Sequence, residues 1–424
     1  MTENNDRDAA AKSRLRSCAL LGLGPVLLLV GLVIVFIVNN RPPNIHVPTP
    51  KMPKDNGWDY FLRAGKMLKG TGPMLPTHPS SAWTVVELER FARENGPALD
   101  VLREGLTKEY LLPPVRSFHA PSPGFVNSIG LAYALVGEAM YYQAIGQYAR
   151  AASSRLDAIE FGMTLPRGGG LMASLEGSSV QEVGAAVPPM LDRLTPGELG
   201  RIGKRLDRIQ GKRVPFWQIA REQGRSVVAC LAEEFAERGK LASLQGPTSW
   251  FRESALGLGP SSARDAHGNA RVGFLNKRAA VLDLQRYYES VAREQRKAYN
   301  GKSCVPVPND PIAHLFLTEA PAPFRCRMEI SAAVLTLIQT EVALRRYRFD
   351  HKRFPDRLSD LVPVYLKAVP TDPLGLRKPL RYRPLDGGKS FLLYSLGCDL
   401  KDDHGAPGST SNSYQTGDIV AGQW

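Results

Sequence analysis

From Cys18 to Val38 the chain runs for 21 residues without a charged side chain. At 1.5 Å of rise per residue, a helix of that length crosses a hydrocarbon layer of roughly 30 Å. Gly22, Gly24 and Pro25 weaken a helix in water but are tolerated in lipid. Lys12, Arg14 and Arg16 precede the run closely, and only Arg41 follows it closely. The positive-inside bias then puts residues 1–17 in the cytoplasm and the rest of the chain outside. A cleaved signal peptide has a shorter apolar stretch and a small-residue cleavage site, whereas Phe36 to Asn40 has no Ala-x-Ala pattern. A lipoprotein signal places its cysteine after the apolar run, and here Cys18 precedes it. The expectation is a single-pass signal anchor in the cell (inner) membrane, with the bilayer as partner of residues 18–38.

The remaining chain has the material for a core, since 43% of the sequence is hydrophobic and 22% charged. Lys and Arg number 54 against 41 Asp and Glu, a formal charge of +13. The basic residues are scattered, without the interleaved aromatics that stack bases. That distribution suits anionic lipid or polymer better than nucleic acid, and no nucleic-acid partner is expected.

Residues 39–53 hold Pro42, Pro43, Pro48, Pro50 and Pro53, a pattern for a stiff stalk. From 54 to 300 the spacing is helical. Leu131, Leu135, Ala139, Tyr142, Ile145, Ala149, Ala152, Leu156, Ile159 and Met163 recur at three- and four-residue steps, which predicts helix over 128–163. Ala144 to Ala149 inside it resembles the turn of a tetratricopeptide-type hairpin, with no second copy about 34 residues away. Further helices are expected at 171–187, 196–210, 215–238 and 272–299, with irregular chain from Gly239 to Asn269. The fold class is a mainly α ectodomain followed by a small α+β module over 325–424.

In that last part, Met328–Phe349 reads as a helix with Val334, Leu335, Ile338 and Val342 on one side and arginines at its end. Pro355–Pro363 reads as a short second helix, and Leu380–Arg383 with Ser390–Ser395 as a hairpin. The order continues with Tyr365-Leu, Pro370-Thr-Asp-Pro373, Tyr394-Ser-Leu-Gly-Cys-Asp399 and a terminal segment from Asp418 to Trp424. This ordered set resembles the globular head of the type II secretion major pseudopilin, over roughly the last hundred residues. In that family the membrane helix runs directly into the head; here about 290 residues separate them, and no prepilin-type cleavage site precedes Cys18. The resemblance therefore implies a borrowed head module.

It also implies a calcium site in the loop after the Ser-Leu-Gly-x-Asp turn. The matched positions are Asp399 and Asp418, with Asp402 and Asp403 as further candidates and Thr416 where the family often has a second acid. Residues 395–424 carry those four aspartates against Lys401, which suits a hard cation. Elsewhere, the seven histidines show no metal spacing. Gly301-Lys-Ser303 and Gly388-Lys-Ser390 lack the leading glycine of a phosphate loop, with Arg296 and Arg383 in its place. Cys304 and Cys326 flank a proline-rich loop and are the expected disulfide pair in an oxidising compartment. No catalytic signature stands out. The functional expectation is a membrane-anchored extracytoplasmic binding or scaffolding protein, with envelope or secretion-system proteins as partners. The alternatives are an envelope hydrolase whose cleft gathers Glu138, Glu160 and Glu176 with His119, or an assembled pseudopilin processed near residue 18.

Overall fold

A computed structural model describes residues 27–39, 41, 45–70, 83–117, 127–237, 277–301, 305–308, 322–408 and 417–423. The chain is mostly helical, with a small antiparallel sheet near its carboxyl end. Helix α1 covers residues 27–39, the described part of the uncharged run. Every large apolar side chain from Leu27 to Val38 is between 48% and 67% exposed. Among the described residues no helix is long and apolar enough to cross a membrane, and residues 18–26 lie outside them. Residues 1–17, expected in the cytoplasm, and 239–269, expected to be irregular, fall outside them too.

The body comprises α2 (Gly57–Met67), α3 (Val85–Leu106), α4 (Ser128–Ala144), α5 (Tyr148–Thr164), α6 (Leu171–Gly184), α7 (Pro188–Leu191), α8 (Pro196–Gly211), α9 (Phe216–Glu237) and α10 (Lys277–Glu294). Two starts are written in the sequence as capping boxes. Thr84 accepts from Glu87 N–H while the Glu87 carboxylate accepts from Thr84 N–H, and Thr195 and Glu198 repeat this with Pro196 in the first turn. Asn56 does more than cap α2: it also exchanges two hydrogen bonds with the backbone of Leu111, at 2.8 and 3.0 Å, tying both ends of the α2–α3 hairpin together. The turn between α4 and α5 needs Gly146, whose φ is +77°. Helices α5 and α6 cross at glycines: a Cβ on Gly162 would lie 2.5 Å from the Gly177 carbonyl oxygen.

Three cores result. Phe61, Leu99, Leu102, Leu131 and Phe161 join α2 to α5. Val227, Leu231, Val281 and Leu284 join α9 to α10, and Ile45 and Val47 pack against that cluster from outside. The largest holds α5 to α8 against α11 (Ala322–His351) and the sheet. With 30 residues, α11 is about 45 Å long. The sequence pattern predicts an amphipathic helix here, but α11 buries side chains around its whole circumference from Phe324 to Leu344. Buried polar groups such as Arg325, Glu329, Thr340 and Glu341 sit among its apolar ones, and α11 is the shared axis of the body and the carboxyl-terminal module. The expected boundary near residue 325 falls inside this helix.

Strands β1 (Arg381–Leu385), β2 (Ser390–Ser395) and β3 (Ile419–Val420) form the sheet in that order. Tyr382 faces Leu393, and Tyr394 faces Val420. The expected helix at Pro355–Pro363 is a single 3₁₀ turn, Leu358–Leu361. Asp372, fully buried, accepts hydrogen bonds from Leu374 N (2.9 Å), Ser395 Oγ (2.6 Å) and Leu396 N (3.0 Å). That one carboxylate fastens the 371–375 turn to the end of β2. The cysteines differ from expectation. Cys326, near the start of α11, is bonded to Cys398 after β2, with Cα atoms 5.9 Å apart. Packing the sheet on α11 brings these two sulfurs together, so the expected Cys304–Cys326 pair is excluded; Cys304 lies outside the described residues. Cys230 is free and buried.

Candidate functional site: a cationic cleft and an aspartate loop

A cleft of about 470 Å³ opens where the body meets the carboxyl-terminal module. Its walls come from four segments: the α8–α9 junction, the residues just after α10, the first half of α11, and the 371–377 turn. Five cations face it, Arg213, Arg296, Lys297, Arg325 and Arg377, against Glu329 and the hydrogen-bonded Asp372. Arg325 is buried. It donates to Gln295 Oε1 at 2.6 Å and to the Lys297 carbonyl at 2.5 Å, and Glu329 lies between it and Arg213, 2.7 Å from the latter. Burial is the main reason its guanidinium is held below the usual arginine range. Trp217 lines the cleft half-buried, with Arg296 at 4.4 Å and Arg221 at 4.8 Å from its ring centroid. Arg221, Arg296 and Arg377 form no ion pair among the described residues. The volume falls within the range of small-molecule sites, about 300–1,000 Å³, and guanidinium forks match carboxylate and phosphate. The arrangement can hold an oxyanion. No local pattern announces it, because Arg213, Arg296, Arg325 and Arg377 come from segments far apart in the chain.

The four aspartates of the carboxyl-terminal loop have separate roles. Asp418 is 3% exposed and accepts from Gly405 N at 2.7 Å through Oδ2, while its Oδ1 is buried without a hydrogen-bond partner among the described residues. Burial first, then the charges of Asp402 and Asp403, push its carboxyl up to about 6. Among the described residues Asp399 accepts from Lys401 N alone, at 3.2 Å. Asp402 is already taken: Arg381 Nε at 3.0 Å, Tyr394 OH at 2.9 Å and His404 N at 3.1 Å all donate to it. The Gly417 carbonyl comes so close to Gly397 that a Cβ there would meet it at 2.2 Å, which sets the Asp399 turn against Asp418. Among the described residues no three Asp, Glu, His or Cys side chains converge as a ligand group, and 409–416, with Thr416, lie outside them. An orphaned buried carboxylate oxygen beside a second acidic turn fits a cation held by Asp418, Asp399 and main-chain oxygens. Asp402 fits it poorly and Asp403 stands exposed beside it.

The carboxylates expected of a hydrolase are elsewhere. Glu138 is paired with Arg103 and accepts from Ser154 Oγ at 2.5 Å. Glu160 is paired with Arg205 at 2.9 Å and Lys212 at 2.6 Å. Asp157 bridges the two groups through Arg103 at 2.8 Å and Arg205 at 2.5 Å. Glu176 stands apart, half-buried and accepting from Ser128 Oγ, and desolvation raises its carboxyl. His119 lies outside the described residues. Two of the three acids thus share one network, but as the anionic halves of ion pairs.

Compared with known proteins, the chain matches no family model, no curated protein and no solved structure.

Proposed function

We propose that the chain is a membrane-anchored extracytoplasmic binding or scaffolding protein of an envelope or secretion assembly, built on a helical body with a pseudopilin-head-like module. The observation that carries this reading is α1: large apolar side chains at every position from Leu27 to Val38 except Gly31, all exposed, preceded by a further uncharged stretch. A row like that in water would aggregate; in lipid it is at rest. The Cys326–Cys398 bridge supports the same side of the membrane, since such bonds persist in oxidising compartments. The cationic cleft supports binding of an anionic group as the body's task. The hydrolase reading loses support, because Glu138 and Glu160 are neutralised by arginine and lysine. A periplasm-dependent reporter fused after Trp424 is expected to be active and a cytoplasm-dependent one inactive. The reverse pattern, or a mature chain beginning beyond residue 38, ends the anchor reading.

Calcium belongs to this proposal as the stabiliser of the aspartate loop. A ligand that binds only the folded state adds RT ln(1 + [L]/Kd), about 2.7 kcal/mol at a hundredfold excess over Kd. The full chain is expected to unfold at higher temperature with calcium than with chelator. Asp418→Asn removes that response, whereas Asp402→Asn leaves it largely in place, because Asp402 serves Arg381 and Tyr394. An unmoved midpoint in the unmodified chain removes the metal from the reading.

A further inference from the structure

Very little chain joins the apolar helix to the folded body. Arg41 N–H still donates to the Ile37 carbonyl at 2.9 Å, so the helical ladder of α1 runs to Arg41. Ile45 and Val47 already pack against the α9–α10 core. Four residues of fully extended chain span at most about 14 Å, so the docking point lies within that distance of the end of α1. The groove that receives residues 45–48 is lined by Arg221, Arg225, Val228, Gln285, Tyr288 and Glu289. Whatever surface surrounds the end of α1 is therefore close to Arg221 and Arg225.

These two arginines belong to a crowded cationic face. Arg221 and Arg296 both lie over the Trp217 ring, and burial, followed by the charges of Arg225 and Arg296, weakens the hold of Arg221 on its proton. The anions nearby do not balance them. Glu222 is engaged by Arg116 at 2.6 Å and only loosely by Arg225 at 3.6 Å. Glu289 accepts from Gln285 Nε2 at 3.0 Å. Arginine with tryptophan is the composition of side chains that settle at a lipid headgroup layer, where the indole and the alkyl stem meet apolar material and the guanidinium meets phosphate.

We infer that the face formed by Trp217, Arg221, Arg225 and Arg296 is a second membrane contact, which holds the phosphates of anionic phospholipid headgroups once α1 is inserted. The inference rests on the membrane-anchor reading given above. It makes the body lie against the bilayer and not swing free on its stalk, with the mouth of the cationic cleft, which Trp217 and Arg296 share, at the lipid surface.

The test uses the full chain in nanodiscs of phosphatidylcholine with brominated phosphatidylglycerol. Trp217→Phe identifies the share of tryptophan fluorescence that comes from this residue. Bromine is expected to quench the Trp217 signal, and the triple variant Arg221→Gln, Arg225→Gln, Arg296→Gln is expected to reduce that quenching by roughly threefold or more, as is 0.5 M salt, which shortens the Debye length to about 4 Å. A chain that does not elute with the discs defeats the anchor reading and this contact together. A chain that elutes with them but shows an unquenched Trp217, or quenching that the triple variant keeps, overturns the lipid contact alone. Inorganic pyrophosphate in discs of phosphatidylcholine only gives the remaining arm: if it changes Trp217 as strongly as phosphatidylglycerol does, the face serves a soluble anion and the inference fails.

Discussion

Removing the Cys326–Cys398 bridge is expected to lower the unfolding free energy of the chain by about 4 kcal/mol. The bond joins residues 72 apart, so it encloses most of α11, the 3₁₀ turn, the Asp372 anchor and the β1–β2 hairpin in one covalent loop. Closing a loop of that length removes conformational freedom from the unfolded chain, and the chain-entropy relation gives about 4 kcal/mol at 25 °C. Only the core between α11 and the sheet, and hydrogen bonds such as Tyr299 OH to the Cys398 carbonyl at 3.4 Å, then hold the module in place. Denaturant unfolding of the unmodified chain, the chain under reductant, and Cys398→Ser is the measurement. The second and third should agree with each other and fall well below the first. Cys304→Ser is the control. If it removes as much stability as Cys398→Ser, the pairing is with Cys304 after all.

That bridge also shows where the sequence stops being legible. Cys304 stands 22 residues from Cys326, and proximity along the chain favours it. The true partner is chosen by how β2 returns along α11, which no local pattern encodes. The features that could be read ahead are those whose causes are local. Thr84 with Glu87 and Thr195 with Glu198 announce helix starts, the three- and four-step spacing marks α4 and α5, and Ser390–Ser395 alternates into a hairpin. Helix α11 misled in one respect, because a helix buried on all sides has no apolar stripe, and the stripe picked out was an arbitrary slice of its surface. In the aspartate loop, Lys401 looked like the only compensating charge, yet Arg381 comes from 21 residues away to take Asp402. Basic residues that looked scattered along the chain gather around Trp217 once α9 and α10 pair.

The ion network of the helical body is expected to show the other large effect. Arg103→Met should lower the unfolding free energy by about 3–5 kcal/mol, because it leaves Glu138 as a buried anion whose one remaining partner among the described residues is the uncharged Ser154 Oγ. Asp157 suffers less, since Arg205 remains. The decisive comparison adds Glu138→Leu. A buried ion pair is not strongly favourable in itself, so replacing both partners by apolar groups should recover most of what the single change lost. If Arg103→Met alone costs under about 1 kcal/mol, the arginine's partial exposure lets water do its work, and the network is no more than a surface feature. The pH dependence supplies an independent check through Glu160. Burial alone would raise its carboxyl, but hydrogen bonds and charge from Lys212 and Arg205 hold it below the ordinary value of 4.5. Its folded form therefore binds protons less readily than its unfolded form. The stability it contributes is fully present above about pH 4.5 and is lost as the pH falls through the lower folded value. The gap in stability between the unmodified chain and Glu160→Gln should accordingly be constant from pH 7 to 5 and close below that. A gap that stays flat down to pH 3 would mean that Lys212 and Arg205 stand near Glu160 without holding its charge.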